Sequence, residues 1–195
     1  MIIGITGGTG CGKTTALSAI LELGGKVLDC DAIYHDLLKN DRVLLAQIDS
    51  AFPGVVENGI LDRKKLGNIV FNDSKKLSVL NTITHKRVKQ AVLEKLKDNN
   101  ELVAIDAVAL FESGLADLCD MTVAIIAPED QRLQRIMTRD GISCDYAKSR
   151  IAAQLSQETF AEKCDYILEN DTTKDAFYSK CIAFFKQIVI IKETQ

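Results

Sequence analysis

The chain has 195 residues, a formal net charge of −3, 47% apolar and 26% charged residues. That balance fits a globular domain and carries no long basic run of the kind a nucleic-acid scaffold needs. No apolar run approaches the roughly 18 residues of a membrane helix, and the N-terminus lacks a basic n-region and a cleavage-type h-region, so a cytoplasmic protein with no membrane or nucleic-acid partner is expected.

The run "IIGIT" at 2–6 predicts a first strand. The segment "GGTGCGKTT" follows it, and an apolar-periodic helix begins near Gly12, carries Leu17, Ile20 and Leu21, and stops at Gly24-Gly25. "KVLD" at 26–29 predicts a second strand. From about 32 to 100 the pattern is helical, with no convincing strand. Its longest helix is predicted from about Ser74 to Lys97, with Leu77, Leu80, Val88, Ala91 and Val92 on one face. "LVAID" at 102–106 and "MTVAIIA" at 121–127 predict the third and fourth strands. A second helical excursion runs from Pro128 to about Phe160, broken by "RDG", and "DYILEN" at 165–170 predicts a fifth strand before a final helix at about 174–192.

Strand–helix alternation with nearly continuous apolar strands predicts an α/β fold around a five-stranded parallel sheet. The expected organisation is a core of residues 1–31, 100–127 and 161–195, a helical insertion at 32–99 and a helical excursion at 128–160. The six cysteines, at 11, 30, 119, 144, 164 and 181, form no C-x-x-C pair and read as reduced thiols. Cys11 has two readings. At a helix start beside Lys13 its thiol would be acidified and reactive; otherwise it is a tolerated small residue.

Gly7-Gly8-Thr9-Gly10-Cys11-Gly12-Lys13-Thr14 fits G-x-x-x-x-G-K-[ST]. Such a loop, between a strand and a helix, turns successive N–H groups inward to form an anion site, and side chains would block it. The helix N-terminus favours negative charge. Gly8, Gly10, Cys11, Gly12, Lys13, Thr14 and Thr15 are therefore expected to cradle phosphates, with Lys13 on the β- and γ-phosphates and the Thr14 hydroxyl on Mg²⁺. A dinucleotide fingerprint is excluded, because Lys13 stands where its third glycine belongs.

A GTPase switch should carry D-x-x-G and N-K-x-D, and neither string occurs. A small ATP-dependent phosphotransferase is the economical reading. "KVLDCD" places Asp29 and Asp31 at a strand end, two apart and so on one face if extended. Asp31 is then either a catalytic carboxylate beside the nucleotide or the N-cap of the next helix. Arg132, Arg135 and Arg139 are spaced three and four apart and share a face if helical. They form either a solvated charged face or a lid whose arginines steady the transferring phosphoryl group.

These motifs occur in an order that resembles the dephospho-coenzyme A kinases over nearly the whole chain. They are "GITGGTGCGKTT", "VLDCDAIYHDLL", "GILDRKKLGNIVF", "NTITH", "ALFESGL", "RLQRIMTRDGIS…AKSRIAAQ" and "CDYILEND". The resemblance implies a P-loop three-layer fold, with a helical acceptor-binding domain at 32–99 and a lid at 128–160. It implies transfer of the ATP γ-phosphoryl group to the ribose 3′-hydroxyl of dephospho-CoA, the last step of CoA biosynthesis. Asp31 would be the base that takes the hydroxyl proton, Lys13 and Arg139 would act at the phosphates, and Arg135 and Arg139 would contact ATP. On the helical wheel His85 falls in the apolar arc, where a partly buried core histidine is the commoner explanation; the resemblance implies instead that it lines the acceptor pocket. Arg63 would touch an acceptor phosphate or serve as an ion-pair partner, and Phe111 and Glu112 would line the pocket. The chain departs from the family pattern at Lys86, where proline is usual, and at Val108, in the usual P-L-L-F-E run. The remaining alternatives are a nucleoside or nucleotide kinase with another acceptor, or a nucleotide-dependent switch. A monomer is the expected state.

Overall fold

The computed structural model describes residues 1–97 and 101–193. Five strands form one sheet: β1 (Ile2–Thr6), β2 (Lys26–Asp29), β5 (Val103–Asp106), β6 (Met121–Ile126) and β7 (Tyr166–Glu169), in the order β2-β5-β1-β6-β7. β1 lies at the centre, parallel to β5 with Ile3 opposite Ala104, and parallel to β6 with Ile5 opposite Val123. β7 runs parallel at the far edge, pairing Val123 with Tyr166. Ile3, Ile5, Ala104, Val123 and Ile125 are fully buried, as expected for strands of a parallel sheet covered by helices.

Two helices from opposite ends of the sequence meet in this core: α1 (Lys13–Glu22) and α9 (Lys174–Glu193). Ala16, Ala19 and Ile20 of α1 pack in one cluster with Phe177, Cys181 and Phe185 of α9. α1 closes at Gly24, whose φ of +81° lets Gly25 N–H reach back to Ile20 O at 2.9 Å. The excursion after β6 comprises α6 (Glu129–Asp140), α7 (Cys144–Ala152) and α8 (Gln157–Lys163). Gly141, at φ +65°, ends α6 where "RDG" predicts a break.

The chain divides into two compact units: Met1–Leu28, Asn100–Leu110 and Ala116–Gln195 form one, and Asp29–Asn99 with Phe111–Leu115 form the other. Residues 128–160 fall within the first. The boundary expected at 99/100 lies outside the described residues. The second unit holds α2 (Cys30–Asn40), α3 (Arg42–Ala51), α4 (Arg63–Val70) and α5 (Ser74–Leu96) around Leu38, Leu44, Ile48, Phe52, Leu66, Val70 and Leu80. Each of these helices opens on an aspartate that accepts a backbone N–H of the first turn: Asp29, Asp41, Asp62 and Asp73. Such caps contribute about 1 kcal/mol each.

Two sequence expectations are corrected. The insertion does contain strands: β3 (Val56–Glu57) and β4 (Ile60–Leu61) form an antiparallel hairpin. Asn58 and Gly59, both at positive φ (+52° and +78°), make its turn, and Asn-Gly is the strongest short hairpin signal. The strands themselves are too short to show alternation. Second, Asp29 and Asp31 do not share an extended face. The helix starts at Cys30, Asp29 is its N-cap and accepts from Ala32 N–H at 2.9 Å, and Asp31 lies within the first turn. No described helix is long and apolar enough to cross a membrane.

Candidate functional site

The loop between β1 and α1 is held by main-chain turns and by polar side chains from α6, the α7–α8 connection and the end of β7. Cys11 N–H reaches Gly8 O at 3.2 Å and Thr15 N–H reaches Gly12 O at 3.0 Å. Gly12 precedes α1 in a left-handed conformation, φ +101°, and a Cβ there would collide with Asn170. The N–H groups of Gly10, Gly12 and Thr14 have no acceptor among the described residues, and that of Lys13 faces the Cys11 thiol. Orphan donors at a helix start, with the positive end of its dipole behind them, are an anion site. Lys13 folds back over the loop, its Nζ donating to Gly7 O at 3.1 Å. Thr14 is exposed on the first turn and Thr15 is half-buried beside it.

Three residues brace this loop: Asn170 and Gln154, on which sequence reasoning placed no role, and Arg132, read only as one of three arginines on a helical face. Asn170, immediately after β7 and 4% exposed, donates to Cys11 O at 2.8 Å and accepts from Arg135 Nη2 at 3.3 Å. Gln154 accepts Thr9 N–H at 2.7 Å and donates to Thr9 Oγ1 at 3.2 Å. Arg132 donates from Nε to Thr9 O at 3.0 Å and is 3% exposed. Arg135 reaches Gly10 O at 3.3 Å and Gln131 Oε1 at 2.9 Å. Arg139, on the same helical face in sequence, does not join them. It pairs with Asp140, Nε to Oδ1 at 2.7 Å, and Arg150 holds the other carboxylate oxygen at 2.5 Å. Those hydrogen bonds, Arg139's first, hold Asp140 at about 2.

Cys11 is fully buried, and desolvation pushes its thiol up despite the opposing pull of Lys13 and Arg132. The acidified-thiol reading is therefore wrong: helix start and lysine are present, but burial dominates. The residue contributes its backbone and its fit in the core. Asp106, at the end of β5, is near enough to push the Cys11 thiol further up.

The remaining predicted residues lie in the second unit. His85, half-buried on α5, and Glu112 line one cavity of about 590 Å³. Lys86, Lys89, Ser78 and Thr82 share that lining. Phe111 is half-buried one residue before Glu112. Arg63 instead borders a smaller cavity of about 300 Å³ with Tyr34, His35 and Phe71, its Nη2 3.4 Å from His35 Nδ1. The structure therefore separates Arg63 from His85 and Glu112 into neighbouring cavities that share Leu77 and Asn81. Asp31 is exposed on the first turn of α2. Because Asp29 takes the cap, the Asp31 carboxylate is not needed there.

A family model for dephospho-CoA kinase (CoaE) matches residues 1–175. The chain is 37% identical over 191 residues to a dephospho-CoA kinase of Fusobacterium nucleatum, covering 96% of this chain and 98% of that one. This chain belongs to the dephospho-CoA kinase family. Its fold matches a crystal structure from Thermus thermophilus with a TM-score of 0.79 and 31% identity, covering 96% of this chain and 97% of that one. It also matches the dephospho-CoA kinase from Campylobacter jejuni with a TM-score of 0.70 and 29% identity, over 96% of both chains.

Within a dephospho-CoA kinase frame the loop braces acquire a signal that sequence alone offered only faintly. Asn170 and Gln154 are polar residues ending a strand and a helical segment within the stretches "CDYILEND" and "AKSRIAAQ". A polar side chain where a parallel strand leaves the sheet is near the functional edge of such folds. Their partners are loop atoms more than 140 residues away in sequence, so no local pattern encodes the pairing.

Proposed function

We propose that this chain transfers the γ-phosphoryl group of ATP to the ribose 3′-hydroxyl of dephospho-CoA, giving CoA. The observation that carries the reading is the loop at residues 7–14. Orphan main-chain amides, the Lys13 ammonium and a helix N-terminus converge on one anion site there. Phosphoryl transfer is catalysed by positioning and by electrostatic stabilisation, and those parts supply both.

Within the loop Gly8–Thr15, whose turns Gly8, Cys11 and Thr15 shape, the free amides of Gly10, Gly12 and Thr14 hold the α- and β-phosphates, and Lys13 leaves Gly7 O to reach the β- and γ-phosphates. Mg²⁺ fits this donor set. It binds through few protein groups and keeps substrate phosphates and waters, and the Thr14 hydroxyl is exposed at the first turn to serve as that protein ligand. Held by Thr14, the ion would supply neutralisation of the phosphate charge. Arg135 exchanges loop carbonyls for nucleotide oxygens. Arg139 reaches ATP when its pair with Asp140 opens, and residues 128–160 act as the lid. Asp31 accepts the proton of the 3′-hydroxyl, and its carboxylate is available because it has no capping role. His85 and Glu112 line the acceptor cavity with Phe111 beside them, and Arg63 meets an acceptor phosphate from the adjacent cavity. The protein acts in the cytoplasm as a monomer.

The test is a coupled assay with purified protein, ATP, Mg²⁺ and dephospho-CoA. ADP release that depends on dephospho-CoA, with one 3′-phosphate appearing per ADP, is the expected result. Release only with a nucleoside monophosphate would replace the acceptor, and nucleotide binding without any acceptor-dependent turnover would replace the reaction.

A further inference from the structure

The two arginines that α6 presents to the loop differ in kind. Arg135 is half-buried and has acceptors for both terminal nitrogens. Arg132 is 3% exposed, its one acceptor among the described residues is Thr9 O, and its Nη2 is buried without any partner. None of the ion pairs among the described residues includes it. Burying a cation with neither a counter-charge nor a full set of acceptors is costly. A chain selected only for stability would place methionine or leucine there.

The guanidinium also dictates a loop residue. A Cβ on Gly8 would collide with Arg132 Nη2 and lie 3.1 Å from its Cζ. The glycine at position 8 therefore admits the cation as well as a ligand. The Thr9 peptide is gripped on both sides, its N–H by Gln154 and its C=O by Arg132. We propose that Arg132 is a positioning residue of the nucleotide site: it fixes the tip of the loop through Thr9 and places, against Gly8, a buried positive charge that bound triphosphate neutralises. The inference rests on the ATP reading above. Fixed charge in a dry site interacts over several ångströms because little water screens it, so Arg132 need not touch a phosphate.

The two possible roles move stability in opposite directions. A purely structural arginine, when removed, lowers the melting temperature of the nucleotide-free protein and leaves ATP affinity alone. A charge retained for the ligand, when removed, leaves that melting temperature unchanged or raises it and weakens ATP binding. The experiment measures both, in the full chain, for Arg132→Met and Arg132→Lys, with calorimetric ATP affinity and with the KM for ATP and for dephospho-CoA. Expected for R132M are an unchanged or higher melting temperature without nucleotide and ATP affinity lower by about tenfold or more. KM for ATP should rise while KM for dephospho-CoA stays put. R132K should keep ATP affinity within about threefold of the parent, since the charge remains. A lower melting temperature with unchanged ATP affinity in R132M overturns the proposal, as does an R132K variant as weak as R132M. Should R132M fail to fold, Arg132→Gln takes its place with the same readings. A parent protein that does not bind ATP sinks the underlying function instead, a result separate from either.

Discussion

The loop at residues 7–14 offers a ligand its main chain, whereas the helical unit offers side chains from its helices and the Phe111–Leu115 segment. In the loop, unpartnered amides do the presenting, and the side chains nearby are braces: Arg132 and Asn170 buried, Gln154 half-buried. In the helical unit, the cavity beside α5 is lined by His85, Lys86 and Lys89, and Asp31 stands exposed on α2. A main-chain site is rigid and demands particular residue types, because glycine lets a ligand approach the amides closely and only certain dihedral angles aim them. A side-chain site tolerates many sequences, because a cation or hydroxyl can be supplied from several positions. The first kind binds what every member of a large class shares, a polyphosphate. The second distinguishes one acceptor from another.

The sharpest way to break the comparison is to take one chemical group from each region. Lys13→Ala removes the cation that spans the loop, and both ATP affinity and turnover should fall, with kcat/KM lower by roughly 10³-fold. Asp31→Asn removes a proton acceptor of nearly the same shape. Turnover should fall by roughly 10²-fold while calorimetric ATP affinity stays within about twofold. If D31N weakens ATP binding as much as K13A does, the division of labour between the two regions is wrong. If it turns over at the parental rate, Asp31 is not the base.

How much of each region was legible follows from the same contrast. The loop could be read residue by residue, since main-chain geometry forces Gly7, Gly12, Lys13 and Thr14 into a fixed spacing after a strand. The sheet was legible for a related reason: strands buried on both faces are nearly continuous apolar runs, and the five predicted ones are those found. The Asp29–Asp31 pair was misread in its conformation because strand and helix meet without a loop. A helix start two residues earlier, at Cys30, converts two carboxylates on one extended face into a cap and a first-turn residue. The braces Gln154 and Asn170 were missed because each acts on a loop atom far away in sequence. Arg132 was read only as one of three arginines on a face. Helical spacing could not tell the buried arginine from Arg139, which the end of the helix leaves to Asp140.

A smaller effect sharpens the loop side. Asn170 ties the end of β7 to Cys11 O while accepting from Arg135. Asn170→Ala leaves a buried carbonyl without its donor, at a cost of about 1–3 kcal/mol. The urea midpoint should fall at constant slope. ATP affinity should fall too, because the loop loses its strut. A midpoint shift with full ATP affinity would mean that the loop keeps its shape without Asn170, and that its rigidity comes from the glycine turns alone.

The smallest expected effect lies at the far end of α6. Asp140 is held at about 2, below the ordinary carboxylate value of 3.8, by hydrogen bonds from Arg139 and Arg150. A carboxyl depressed in the folded state contributes stability above its unfolded value and loses it as the pH falls through the folded one. The contribution of this pair should therefore be complete above about pH 4 and disappear between there and about pH 2. In Asp140→Asn that part of the acid dependence should be missing from denaturant titrations, while stability near neutral pH changes little, as for exposed ion pairs in general. The same variant bears on the lid. With Asp140 neutral, Arg139 is released, and if that arginine serves bound ATP the KM for ATP should fall or stay level. A rise would mean that Arg139 works from its pair with Asp140, and that the open arginine is not the form that meets the nucleotide.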